Sequence, residues 1–254
     1  MKTRGMNMIK KLLGAVLLLP ALAFAAEAVQ LDKAPVSMDP ASLQHGAKIF
    51  VNYCLNCHGA SYLRYNRLKD IGLSEELIKD NLMFTADKTG EQMKIALQAA
   101  DGKAWFGATP PDLTVIARAR ASEFGSGGDW LYTYLRSFYR DPERPTGWNN
   151  TIFPNVGMPH VLWELQGDKT AHVTEQDDGH GNMVKHIELQ QGKPGKLSAE
   201  EYDKTVADLV SFMVWMGEPV AQERQTIGIW VLVTLAVLFV LALMLKKEYW
   251  KDVH

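Results

Sequence analysis

Two cysteines and a histidine stand in the run Cys54-Leu55-Asn56-Cys57-His58, and their types and spacing define a chemistry. C-x-x-C-H is the pattern of covalent c-type haem attachment. The two thiols add across the two vinyl groups of a porphyrin, and the histidine that follows at once becomes an axial ligand of the iron. Other uses of paired cysteines fit less well. A structural zinc site needs a second ligand pair, and this chain contains only two cysteines. A thioredoxin-like dithiol belongs at a strand-to-helix junction of an α/β unit, whereas helical periodicity flanks this motif on both sides. One motif predicts one haem and, with both thiols engaged, no disulfide.

Haem attachment of this kind takes place outside the bacterial cytoplasm, and the N-terminus carries the matching address. Lys2, Arg4, Lys10 and Lys11 precede an apolar run from Leu12 to Phe24, with small residues at Ala23, Ala25 and Ala26. This is the layout of a secretory signal peptide, here 1–26, and the apolar run is short for a span of about 20 residues. The whole chain has 27 basic and 29 acidic residues. Loss of the leader removes four basic residues and leaves an excess of six acidic ones. Nucleic acid is thereby disfavoured as a partner, because a phosphate-binding surface needs surplus Lys and Arg.

The elements that must position the motif can be read from periodicity and punctuation. Leu43, Ile49, Phe50 and Tyr53 predict a helix over 41–53 that runs straight into Cys54. Further helices are expected over 74–82 and 91–100, the second stopped by Gly102. The stretch 101–112, with Trp105-Phe106-Gly107 and Pro110-Pro111, reads as an ordered loop able to lie on a flat apolar cofactor. A helix over 112–120 capped by Asp112 follows, then a Gly-rich break at 125–128 and an aromatic helix over 129–139. Six Pro and Gly residues between 141 and 159 predict an irregular but pinned segment. The polar stretch 167–195 predicts an exposed hairpin turning at Asp178-Gly179. Ser198 and Glu201 form a capping box for a helix to Met216 that buries Tyr202, Val206, Leu209, Val210 and Met213.

Residues 227–245 carry no charge, with Trp230 near one end and Lys246, Lys247, Tyr249 and Trp250 at the other. Length and flanks predict one transmembrane helix with the positive end in the cytoplasm. The expected layout is a leader at 1–26, a periplasmic haem domain at 27–222, an anchor at 223–246 that meets membrane lipid, and a cytoplasmic tail at 247–254. This places the protein as a single-pass component of the bacterial inner membrane. The fold class is mainly α, a cytochrome c-type haem domain with loop and hairpin insertions.

A haem used only for electron transfer fills its sixth position, often with methionine. Of eleven methionines, Met1, Met6 and Met8 leave with the leader, and Met244 lies in the span. Met213 and Met216 follow an apolar helical stripe, Met83 and Met93 have helical spacing, and Met183 sits in the polar insertion. Met158 stands apart in Asn155-Val156-Gly157-Met158-Pro159, where Gly and Pro fix an irregular backbone that could aim one side chain at iron. His45 and His160 are read as surface or packed histidines. His172, His180 and His186 near Asp177 and Asp178 are read as a solvated hairpin and not a metal site.

The motifs CLNCH followed by SYLRYNRL, then PPDLTVIARAR, GGDWLYTYLRSFY and PTGWNNTIFPNVGMPH, with one C-terminal anchor, resemble the cytochrome c1 family. These are haem subunits of ubiquinol:cytochrome c oxidoreductase, the cytochrome bc1 complex, and the likeness covers nearly all of the chain after the leader. The resemblance implies Met158 as sixth ligand, Arg120 near the haem propionates, and Pro110-Pro111 packed on the haem beside His58, with a backbone carbonyl holding the imidazole N–H. Trp130 departs from the tyrosine that many relatives carry after the Gly-Gly-acid run. The implied function is one-electron transfer from a Rieske iron-sulfur protein to a soluble cytochrome c, beside cytochrome b in a dimeric complex. The chain would need no bond-making active site of its own. The alternatives are an anchored cytochrome c feeding a terminal oxidase, or a haem peroxidase, which needs an open sixth position and a distal acid or base.

Overall fold

In the computed structural model, residues 30–95, 97–177 and 183–252 are described, without the side chains of 176–186. The expected leader and the Asp178-Gly179 turn lie outside them. The first helix, α1 (Pro40–Ile49), starts where Asp39 accepts hydrogen bonds from the backbone N–H groups of Ala41 and Ser42, with Pro40 in the first turn. It continues into a π turn, Phe50–Cys54, that delivers the cysteine motif. Against α1 packs α7 (Ala199–Gly217), begun by the expected Ser198/Glu201 capping box. Gly46 makes this approach possible, since a Cβ there would lie 2.1 Å from the backbone oxygen of Asp208. Phe50 and Phe212 meet across the contact with ring centroids 5.5 Å apart.

Between these helices the chain forms β1 (Ala60–Arg64), a 3-10 helix (Tyr65–Ile71), α2 (Glu75–Asn81), β2 (Gln92–Met93), α3 (Ala99–Phe106), α4 (Ile116–Ala119) and α5 (Gly127–Arg136). After α5 come β3 (Phe138–Arg140), β4 (Trp148–Asn150), α6 (Trp163–Gln166), β5 (Gly167–Asp177) and β6 (Met183–Pro194). β1 and β2 pair antiparallel, and a second sheet runs β4-β3-β5-β6. Only β3 and β5 are parallel there, joined at Arg140 and Thr170. The long β5–β6 hairpin is the expected insertion, and the domain is otherwise mainly helical.

Three helix expectations are corrected. The stretch 91–100 is not a helix: Met93 pairs with Ala60 and is buried under β1, and Tyr65 N–H donates to Glu91 O. The helix begins instead at Ala99 and contains Gly102, whose absent Cβ would come within 2.8 Å of Pro110 Cδ. Asp112 does not cap a helix over 112–120, because the helix there is the short α4 with Val115 as its cap residue. The aromatic helix starts at Gly127, two residues before Asp129, with Ser126 as N-cap and Asp129 completing a capping box. It stops at Arg136, and Phe138–Arg140 is strand.

The last helix, α8 (Ala221–Tyr249), has 29 residues and buries none of them. At 1.5 Å per residue it is about 44 Å long, enough to cross a hydrocarbon core of about 30 Å. Apolar side chains exposed around its whole circumference suit lipid and not a protein core.

Candidate haem site

The π turn decides how the cysteines are presented. Leu55 N–H reaches back five residues to Phe50 O, and Cys57 and His58 then donate to Cys54 O at 3.0 and 2.8 Å. Widened turns of this kind concentrate at functional positions. The result is a buried Cys54, a partly exposed Cys57 and a His58 that all line one cleft. Burial, helped by the neighbouring Cys57, pushes the Cys54 thiol up to about 12. It therefore stays protonated at neutral pH, the opposite of the lowered thiol pKa on which dithiol redox motifs rely.

His58 is oriented from outside the motif. Its Nδ1–H donates to Pro111 O at 2.7 Å, which leaves Nε2 as the free donor atom. Burial lowers the His58 pKa against the opposing pull of Pro111 O and Asp112, so the ring is the neutral imidazole that a metal needs. The Pro111 carbonyl is itself held in place. Asp112 Oδ2 accepts from Ser61 N–H at 2.8 Å, its Oδ1 accepts from Thr114 N–H at 2.9 Å, and Leu113 N–H donates to Gly59 O at 2.8 Å. Asp112 is thus the clamp that binds the 110–114 loop to β1. Its own burial opposes ionisation, but the hydrogen bonds from Thr114 and Ser61 outweigh this and hold its pKa below the usual value.

Met158 lies in the same cleft, on a loop folded by two asparagines. Asn149 Oδ1 accepts from the N–H groups of Asn150 and Asn155, at 2.9 and 2.8 Å. Asn150 Oδ1 accepts from Ile152 and Phe153, and its Nδ2–H donates to Tyr134 O at 2.8 Å. Arg144 ties down Asn155, whose φ of 63° is the left-handed turn that aims the chain back. Gly157 then passes so close to α3 that a Cβ would sit 2.8 Å from Phe106 O. Neither the asparagine pair nor Tyr134, which donates to Met158 Sδ at 3.4 Å, was among the residues singled out from the sequence. Their only advance sign was two adjacent amides inside a Pro- and Gly-rich segment.

Arg120 also lines the cleft, with its guanidinium carbon 4.3 Å from the Trp130 ring centroid and 5.4 Å from that of Phe153. Pro110 and Pro111 form part of the wall. The ordered loop expected at 101–112 is instead helix α3 as far as Phe106, ended by Gly107 in the left-handed conformation; Phe106 faces the cleft, whereas Trp105 is two-thirds exposed. Met213, read as core only, lines the cleft from α7 as well, beside Leu209. Other candidates are elsewhere: His45 bonds to Asp208 at 2.8 Å, Met93 is buried against β1, and His160 stacks on Phe138 at 4.9 Å. Burial pushes the His160 pKa down to about 4 and keeps it a neutral member of that aromatic cluster.

The cleft has a volume of about 300 Å³, at the lower end of the roughly 300–1,000 Å³ of cofactor pockets. Its walls are mostly apolar; among the described residues Arg120 is the only charged one and His58 the only imidazole in them. Two thiols, one neutral imidazole with a free nitrogen, two thioethers (Met158 and Met213) and one cation in an otherwise mostly apolar cleft fit a covalent haem with two carboxylate tails. Bound there, the iron supplies a one-electron redox couple.

A family model described as the cytochrome C1 family matches residues 30–253. Cytochrome c1 of Allochromatium vinosum is 46% identical over 97% of this chain and 100% of its own length. A protein of Nitrosomonas europaea named ammonia monooxygenase gamma subunit is 51% identical over 98% of this chain and 100% of its own. A Bradyrhizobium diazoefficiens protein named cytochrome b/c1 is 26% identical over 85% of this chain but only 34% of itself. With this family model over nearly all the described residues, and with a cleft built to hold a covalent c-type haem, the chain belongs to the cytochrome C1 family and serves haem-mediated electron transfer.

Proposed function

We propose that Cys54 and Cys57 carry the thioether links, that His58 and Met158 are the axial ligands, and that Arg120 faces the propionates while Pro110-Pro111 packs on the haem. The protein takes one electron from a Rieske iron-sulfur protein and passes it to a soluble cytochrome c, beside cytochrome b in a dimeric bc1 complex. The haem domain, 27–222, lies in the periplasm after loss of 1–26, with 223–246 as its anchor and 247–254 in the cytoplasm. One observation carries the ligand reading: the Pro111 carbonyl fixes the His58 tautomer in the cleft that also contains Met158.

The name of the Nitrosomonas relative suggests an oxygenase, and a haem peroxidase is the alternative enzyme. Both chemistries call for an open iron position served by an acid or base. Among the described residues no Asp, Glu or second His lines this cleft, and Met158 is the residue we assign to the sixth position. The electron carrier is the better reading. Purification of the full chain in a mild detergent tests it: a cytochrome b and a Rieske protein should copurify in fixed proportion. Recovery with terminal oxidase subunits and without cytochrome b would refute the assignment to this complex.

A further inference from the structure

We infer that Tyr134 is a positioning residue for the axial thioether: its hydroxyl donates to Met158 Sδ and thereby raises the potential of the haem. This rests on the assignment of Met158 as a ligand. The contact is 3.4 Å, and it is the one hydrogen bond of that hydroxyl among the described residues. Trp130 and Tyr134 are i,i+4 neighbours on α5, so both face the cleft. The Tyr134 ring is fixed on several sides. Trp130 stacks on it at 4.8 Å with the planes 14° apart, while Phe138 and Phe153 meet it edgewise at 5.0 and 6.4 Å. Its backbone oxygen accepts from Asn150, which ties the same residue to the loop that carries Met158. A phenol keeps its proton at neutral pH, so the hydroxyl serves as donor.

A thioether is a weak acceptor with two lone pairs. A phenol on one of them leaves the other for iron and draws density from the sulfur. Ferric iron depends on that donation more than ferrous iron does, so the hydrogen bond favours the reduced state. Trp130 contributes at both ends of this face, because it stacks on Tyr134 and lies under Arg120.

The test uses the haem-loaded full chain in detergent. The sulfur-to-ferric-iron charge-transfer band of the unaltered protein reports thioether ligation; its absence would overturn the Met158 assignment and this inference together. With the band present, Tyr134→Phe keeps the ring and removes only the donor. The expected result is a retained but shifted band, with the ferrous-to-ferric ratio at fixed ambient potential falling about fivefold, or about 40 mV at 59 mV per tenfold for one electron. An unchanged potential, or a fall in potential with an unshifted band, overturns the inference. Should the variant fail to take up haem, the unaltered ferrous protein decides by NMR. A slowly exchanging Tyr134 hydroxyl proton close to the Met158 methyl supports the contact, and its absence overturns it.

Discussion

His58 and Met158 owe their positions to groups distant in sequence. The His58 ring is aimed by a carbonyl at Pro111, and Met158 by a loop that Asn149 and Asn150 fold from within. Replacing Met158 by leucine should leave haem attachment intact, since Cys54, Cys57 and His58 are untouched. The midpoint potential should fall by on the order of 0.1 V or more, within the roughly 0.8 V that axial ligands span. The reduced variant should bind carbon monoxide. An unaltered potential with no carbon monoxide binding would transfer the ligand role to Met213, the other methionine in the cleft. A weaker effect is expected for Asp112→Ala. It frees the 110–114 loop and removes its hydrogen bonds from the N–H groups of Ser61 and Thr114, at a cost of about 1 kcal/mol at this largely solvent-exposed site. Thermal unfolding should register this loss with the covalent haem retained.

The elements divide according to whether local signals or distant contacts set them. Helices α1 and α7 were legible because Leu43, Ile49, Phe50 and Tyr53 carry helical spacing in the first, and Ser198 and Glu201 mark the start of the second with local chemistry. So was the hairpin, whose two strands pair antiparallel along their length. The 91–100 stretch was not, because what makes Met93 a strand residue is Ala60, more than thirty positions away. The cysteine motif, Met158, Arg120 and the two prolines were visible as residue types, but the side chains that hold them carry no signature. Tyr134 looked like one aromatic among several. Asp129 is a similar case, read as a helix start. It is nearly buried at the third position of α5 and binds the N–H groups of Ala34 and Ser126 together with Lys33 Nζ. Burial opposes its charge, yet these bonds bring its pKa down to about 2. The folded value lies below the unfolded one of about 3.9, so its contribution is present above pH 4 and is lost as pH falls through about 2. Asp129→Asn should lower stability by about 2 kcal/mol at neutral pH and reduce the acid sensitivity of unfolding over that window. A thermal melt series from pH 6 to about pH 2 measures both.

For the whole molecule, the haem domain and α8 are separable in chemistry. At their junction Arg224 pairs with Glu218 at 2.6 Å, and Glu218 is also held by Arg118 from within the domain. A chain ended after Gln222 loses the first contact and keeps the second. It should be soluble and retain its haem spectrum; failure to incorporate haem would tie the anchor to the site. Residues 27–226 carry seven more acidic than basic residues, which favours encounter with a basic cytochrome c. Glu75 pairs with Lys69 and Lys79, and Glu201 binds Ser198, so these acidic side chains at helix starts are engaged within the domain. The attraction therefore belongs to the domain's overall charge, and the second-order rate to such an acceptor should drop about tenfold or more from low to physiological salt. A rate indifferent to ionic strength would argue against a basic acceptor. The claim on which all of this depends is one covalent haem with histidine and thioether ligands, and a redox titration of the purified full chain after acid–acetone extraction tests it most directly. We expect one unextractable haem per chain, a single one-electron transition, and a low-spin ferric spectrum with the sulfur–iron band. Haem that extracts into the solvent, or a high-spin ferric spectrum without that band, would contradict it.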